Sequence, residues 1–146
     1  MNRIEKAIDI FLDALNNGAL IKGSCAHCAV GNLVNHNSSD LYTRWSSVFC
    51  TINGIQTIDL TQLADIERVV NSTDFTLTEL MQIEYEFETN TTIEHFRYFG
   101  NCKLEIREDQ LRGLRAVIAV METFEKFPNN YVEEFNVKAV LCFKNK

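Results

Sequence analysis

At 146 residues the chain fits one domain, long enough to bury a core without disulfide or metal staples. Hydrophobic residues make up 46% and charged residues 23%, which excludes the low hydrophobicity of a disordered segment. The formal charge of −6 repels phosphate, which argues against nucleic acid and anionic lipid as partners.

The first expected helix carries Ile4, Ile8, Phe11, Leu12 and Leu15 on one stripe. Asn2 stands as its cap with Glu5 three residues on, and Gly18 follows its end. A second, shorter helix is expected from just after Ser24 to about Asn35, with Cys25, Cys28, Ala29 and Leu33 inward. Leu41, Trp45, Val48, Phe49 and Ile52 then repeat at helical spacing, capped by Ser39 or Asp40. They predict a third helix that ends at Asn53-Gly54. Ile55 to Leu60 reads as extended, and Thr61 to Val70 as a weaker fourth helix.

The fifth helix has the clearest start. Thr76 and Glu79 form a capping box, and Phe75 can pack on Leu80 as a hydrophobic staple, with Ile83 and Phe87 continuing the inner face. The sixth is expected from Arg107 to Phe127, with Leu111, Leu114, Val117, Ile118, Met121 and Phe124 inward, stopped by Pro128. Val137 to Phe143 is a candidate closing strand, paired with Ile55 to Leu60. The fold class that follows is mainly α: a compact bundle of five to six helices with a small two-stranded sheet. Phe11, Leu12, Trp45, Phe49, Ile83, Leu114 and Ile118 are expected in one core.

The segment after Lys6 is broken by Asp9 and Asp13, so no export signal is expected. The apolar run Ala116 to Met121 is too short to cross a bilayer. Five cysteines, an odd number, then predict free thiols and a cytoplasmic address. Arg107, Arg112 and Arg115 come nearest to a basic run, and Glu108 and Asp109 interrupt it.

The chemistry-bearing stretch is Gly23-Ser24-Cys25-Ala26-His27-Cys28-Ala29-Val30-Gly31-Asn32. An amphipathic helix, a glycine turn and the helix start Cys28-Ala29-Val30-Gly31 together resemble a loose group of uncharacterised bacterial and phage domains. The resemblance covers the first quarter of the chain. It implies a helical domain and carries no active residues across.

Four readings of Cys25 and Cys28 stand side by side. As small core residues, they would let two helices approach, helped by Ala29 and Gly31. As half a zinc site they lack a second ligand pair, since His36, Cys50, His95, Cys102 and Cys142 are scattered singly. A thioredoxin-like redox motif calls for a strand before it, and a helix precedes this one. As a nucleophile at a helix start, Cys25 or Cys28 would gain thiolate character and would need a base, for which His95 stands downstream.

Glu79, Glu84, Glu86, Glu88 and Glu94 read as a solvated helix face. His95, Phe96, Arg97, Tyr98 and Phe99 form an aromatic segment suited to stacking on a ligand or partner. The favoured function is a non-catalytic binding or interaction protein with an unidentified protein or small-molecule partner, and no metal or cofactor is expected. The alternative is a cysteine-dependent hydrolase or transferase using Cys25 or Cys28 with His95.

Overall fold

The computed structural model describes residues 2–38, 40, 42–94, 100 and 102–126. The element order is α1 (Arg3–Asn16), α2 (Ala29–Asn37), a 3-10 turn (Trp45–Val48), β1 (Phe49–Ile52), β2 (Ile55–Ile58), α3 (Leu63–Ser72), α4 (Leu77–Asn90) and α5 (Lys103–Lys126). Among the described residues the fold is mainly α with one small sheet, as the periodicities predict. No described helix is long and apolar enough to cross a membrane.

The caps read in the sequence are in place. Asn2 accepts the amide of Glu5 at the start of α1, and Gly18 takes positive φ after its end. At α4 the box is reciprocal: Thr76 accepts the amide of Glu79, and the Glu79 carboxylate accepts the amide of Thr76. Both Phe75 and Leu80 are buried. Arg3 then clamps three elements at this end of the bundle. Its guanidinium holds Glu79 through two bonds of 2.7 and 2.9 Å, reaches Glu125 of α5 at 3.0 Å, and lies over the Phe75 ring. Such bidentate, charge-assisted pairing is geometrically specific.

The third expected helix is not formed. Its residues make the 3-10 turn and then β1, which pairs antiparallel with β2 from Phe49↔Ile58 to Ile52↔Ile55. Asn53 and Gly54 both have positive φ and are the two residues of a tight hairpin turn. Two consecutive positive φ values match the right-handed twist of paired strands, so Asn-Gly closes a hairpin here and does not cap a helix. The Trp45 to Ile52 stripe fits either period over so short a stretch, and β-branched and aromatic content tips it to strand. Leu41 lies outside the described residues, as does the segment Val137 to Phe143 that was expected to pair with β2.

Two boundaries also move. The second helix begins at Ala29 and runs to Asn37, which leaves Cys25 in the turn before it, and the last helix begins at Lys103.

The core is one cluster. Phe11, Trp45, Ile83 and Leu114 are buried in it, with Phe49 and Ile118 packed against it. Leu12 is not part of it; it stands 42% exposed. The buried stripe of α1 is Ala7, Ile10, Phe11, Ala14 and Leu15, and at about a hundred degrees per residue Leu12 falls beyond its edge, on the side of Phe11 away from Ile10. Trp45 meets Phe49 edge to face at 4.8 Å. Replacing Trp45 with Ala is expected to cost about 3–5 kcal/mol, and Phe11 the same, whereas Leu12→Ala should stay within about 0.5 kcal/mol. Denaturant melts of the three variants check this ordering.

Candidate functional site

The stretch from Leu20 to Asn32 forms a pinned loop that delivers Cys28 to the centre of the molecule. Gly23 takes positive φ, and the amides of His27 and Cys28 both donate to the Ser24 carbonyl, winding residues 24–28 into one turn. The Asn32 side-chain amide holds the carbonyls of Ala19, His27 and Cys28 at 2.8 to 3.0 Å, and Asn35 holds that of Ala26 at 2.9 Å. Gly31 lets this turn lie flat on α2: a Cβ there would sit 2.2 Å from the Cys25 carbonyl oxygen.

Cys28 is the N-cap of α2. Its sulfur accepts the Gly31 amide at 3.3 Å and donates to Glu84 Oε2 at 2.6 Å. The indole N–H of Trp45 reaches the same oxygen at 3.1 Å. Glu84 is therefore not on a solvated face. It is 1% exposed, at the meeting point of α2, α4 and the 3-10 turn. One turn along, Glu88 hydrogen-bonds to Glu84 and accepts the Gly23 amide at 3.0 and 3.2 Å. Lys22 donates to the Glu88 carbonyl and lies 3.9 Å from its carboxylate. Glu79 is likewise engaged, in the Arg3 clamp.

The electrostatics follow from burial. Removing Glu84 from water pushes its carboxyl well above the usual range, and the Glu88 charge and their shared hydrogen bond add to this. Burial and the same two carboxylates push the Cys28 thiol up strongly, and Cys25, half-buried in the turn, is raised to about 11. Neither sulfur has the electropositive surroundings that make a thiolate nucleophile at neutral pH.

The sequence reading placed both thiols on one helical turn. Instead Cys28 caps the helix and Cys25 precedes it. The enzyme alternative also invoked His95, which lies outside the described residues together with Phe96, Arg97, Tyr98 and Phe99. Among the described residues no three His, Cys, Asp or Glu side chains gather as a metal site would require. Glu84 itself was missed as a site residue. The available signal was Glu84 sitting directly after Ile83, in a helix whose acidic residues do not keep to one face.

A second surface feature comes from residues 42–68. Tyr42, Arg44, Ser47, Asp65 and Arg68 line an open concavity of about 470 Å³. Arg68 and Asp65 pair across one helical turn at 2.9 Å. Close by in the chain, Ile52, Leu60 and Leu63 are exposed.

Two outcomes check the buried site. Gly31→Ala should destabilise by about 1–3 kcal/mol, because the added methyl meets backbone that cannot rotate away. Stability should also depend on pH with two opposite limbs. Glu84 has a raised folded-state pKa, so its contribution is full below the ordinary value of 4.5 and is lost as pH rises towards the folded value. Asp109 behaves oppositely. Burial alone would raise it, but the amides of Ile93 and Thr92, the Thr92 hydroxyl and Arg112 hold it below 3.8. Its contribution is present above 3.8 and is lost as pH falls through the folded value. Glu84→Gln should flatten the alkaline limb and spare the acid one in urea melts across pH.

Compared with protein-family models, curated proteins and solved structures, the chain has no significant match in any of the three.

Proposed function

We propose that the protein is a non-catalytic interaction module of the cytosol that takes a protein partner on the face built by residues 42–68. The observation that carries this reading is the exposed apolar set Ile52, Leu60 and Leu63, close in the chain to the residues Tyr42, Arg44 and Arg68 that line a concavity. Leu60 is 71% exposed, and large apolar side chains grouped on one stretch mark contact surfaces more often than isolated ones do. Aromatic and arginine side chains are the residues that most often anchor protein interfaces. The chemistry suits a partner segment with an apolar side chain next to a carboxylate, received by the arginines of an otherwise acidic chain.

The raised thiols support the absence of cysteine catalysis. With a pKa of about 11, Cys25 is only about one part in ten thousand thiolate near neutral pH. The likeness of the first quarter to bacterial and phage domains is the ground for placing the gene on a phage or another mobile element.

The test is a photo-crosslinking amino acid placed at Leu63, with Glu122 on α5 as the control position. A discrete adduct from position 63 that is absent from position 122 and lost on Arg68→Glu is expected in cells. Equal adducts at both positions, or none at 63, would remove the proposal. Labelling with iodoacetamide near neutral pH should be slow at Cys25 and limited by unfolding at Cys28. Fast labelling of one thiol, titrating below neutrality and abolished by His95→Ala, would establish the cysteine enzyme instead.

A further inference from the structure

Cys25 and Cys28 belong to one turn wound by backbone hydrogen bonds. The two bonds to the Ser24 carbonyl wind residues 24–28 as in a helix, where side chains three apart begin about 5–6 Å from each other. A disulfide needs Cα atoms roughly 4.4–6.8 Å apart, which one helical turn supplies, and Cβ atoms roughly 3.5–4.5 Å apart, which closure reaches by drawing the turn in by about 1–2 Å. Cys28 Sγ already lies 3.7 Å from the Cys25 carbonyl oxygen. The two sulfurs differ in access: Cys25 is partly buried, and Cys28 is fully buried. Cys28 is also aligned on an acceptor, Glu84 Oε2 at 2.6 Å, and Glu84 is hydrogen-bonded in turn to Glu88 at the edge of the loop.

We propose that Cys25 and Cys28 are a reversible dithiol–disulfide pair. Cys25 meets a small-molecule disulfide from solution, and Cys28 resolves the adduct while its proton passes to the Glu84–Glu88 carboxyl pair. In the first step the Cys25 thiolate attacks the small disulfide. An S–S bond to Cys25 forms, the bond within the reagent breaks, and one thiol is released. In the second step Cys28 passes its S–H proton to Glu84 Oε2, within the Glu84–Glu88 carboxyl pair. The Cys28 sulfur then attacks Cys25 Sγ and expels the second thiolate, which takes up the proton. The protein dithiol is oxidised by two electrons, and the small disulfide is reduced to two thiols. A buried attacking sulfur is suited to this role, because it reaches Cys25 and is shielded from solvent reagents. The raised Cys25 makes the first step slow near neutral pH and faster in alkali, which distinguishes a slowly set redox mark from a rapid oxidoreductase. Closure also removes the S–H donor to Glu84, which Trp45, the chain's one tryptophan, shares.

The experiment uses the full chain with Cys50, Cys102 and Cys142 changed to Ser, verified as folded by its melt, and treated with glutathione disulfide at mildly alkaline pH. The expected product is lighter by two hydrogens, with Cys25 and Cys28 joined in peptide maps and the Trp45 emission shifted. Cys28→Ala should stop at a mixed disulfide on Cys25, and Cys25→Ala should leave Cys28 unmodified. Glu84→Gln should slow closure at least tenfold, while adduct formation on the Cys28→Ala protein is no slower, because one of the carboxylates that raise Cys25 has been removed. Glu88→Gln provides the same readout from the more accessible end of the relay. A folded parent that halts at the mixed disulfide, or that joins the two cysteines only in denaturant, would overturn the pair. Closure at the parent rate in both glutamine variants would overturn the relay.

Discussion

A carboxyl group at the centre of an apolar core sets the terms for the rest of this structure. Moving Glu84 out of water without partners would cost several kcal/mol, so its hydrogen bonds are a condition for folding. They come from three separate places in the chain: the thiol at the N-cap of α2, the indole of the 3-10 turn, and Glu88 one turn along α4. Each partner must arrive in register or the carboxyl is left unsatisfied. A network of this kind adds little net stability compared with packed hydrocarbon, but it penalises every arrangement of α2, α4 and Trp45 except one.

The polar contacts around this centre act at the ends of elements. The Arg3 clamp ties the start of α1 to the cap of α4 and the end of α5. At the other end of α4, Asp109 gathers the amides of Thr92 and Ile93 and so fixes the passage toward α5. Between them α4 and α5 pack closely at Gly113, where a Cβ would lie 2.5 Å from the Thr91 methyl and 3.0 Å from the Phe87 ring. Apolar stripes decide which faces meet, and these end contacts decide how far each helix can slide.

The 3-10 turn joins the interior to the surface. Trp45 points to Glu84 and the thiol cap, whereas Ser47, two residues on, lines the concavity with Tyr42 and Arg68. The proposed partner face and the proposed thiol pair are thus separated by one tight turn of backbone. A change in the hydrogen bonding of Glu84 has a short mechanical path to the surface, through an element of four residues.

Local signals were enough to read α1, α4 and α5 and the capping box from the residues, because caps and 3.6-residue stripes are set by near neighbours. The same stripes gave the mainly α class. The helix read from the sequence up to Asn53-Gly54 does not form, since the eight residues from Trp45 to Ile52 fit both periods and Asn-Gly serves a helix end or a hairpin equally well. Only pairing with Ile55–Ile58 decided it, a contact that no single element contains. The site was legible in part: Cys25, Cys28 and Gly31 stood out by spacing, but Glu84 looked like its acidic neighbours. Whether a glutamate on a helix is solvated or buried depends on what packs against that face. Here the partners of Glu84 lie 56 and 39 residues away in the chain, beyond the reach of any local pattern.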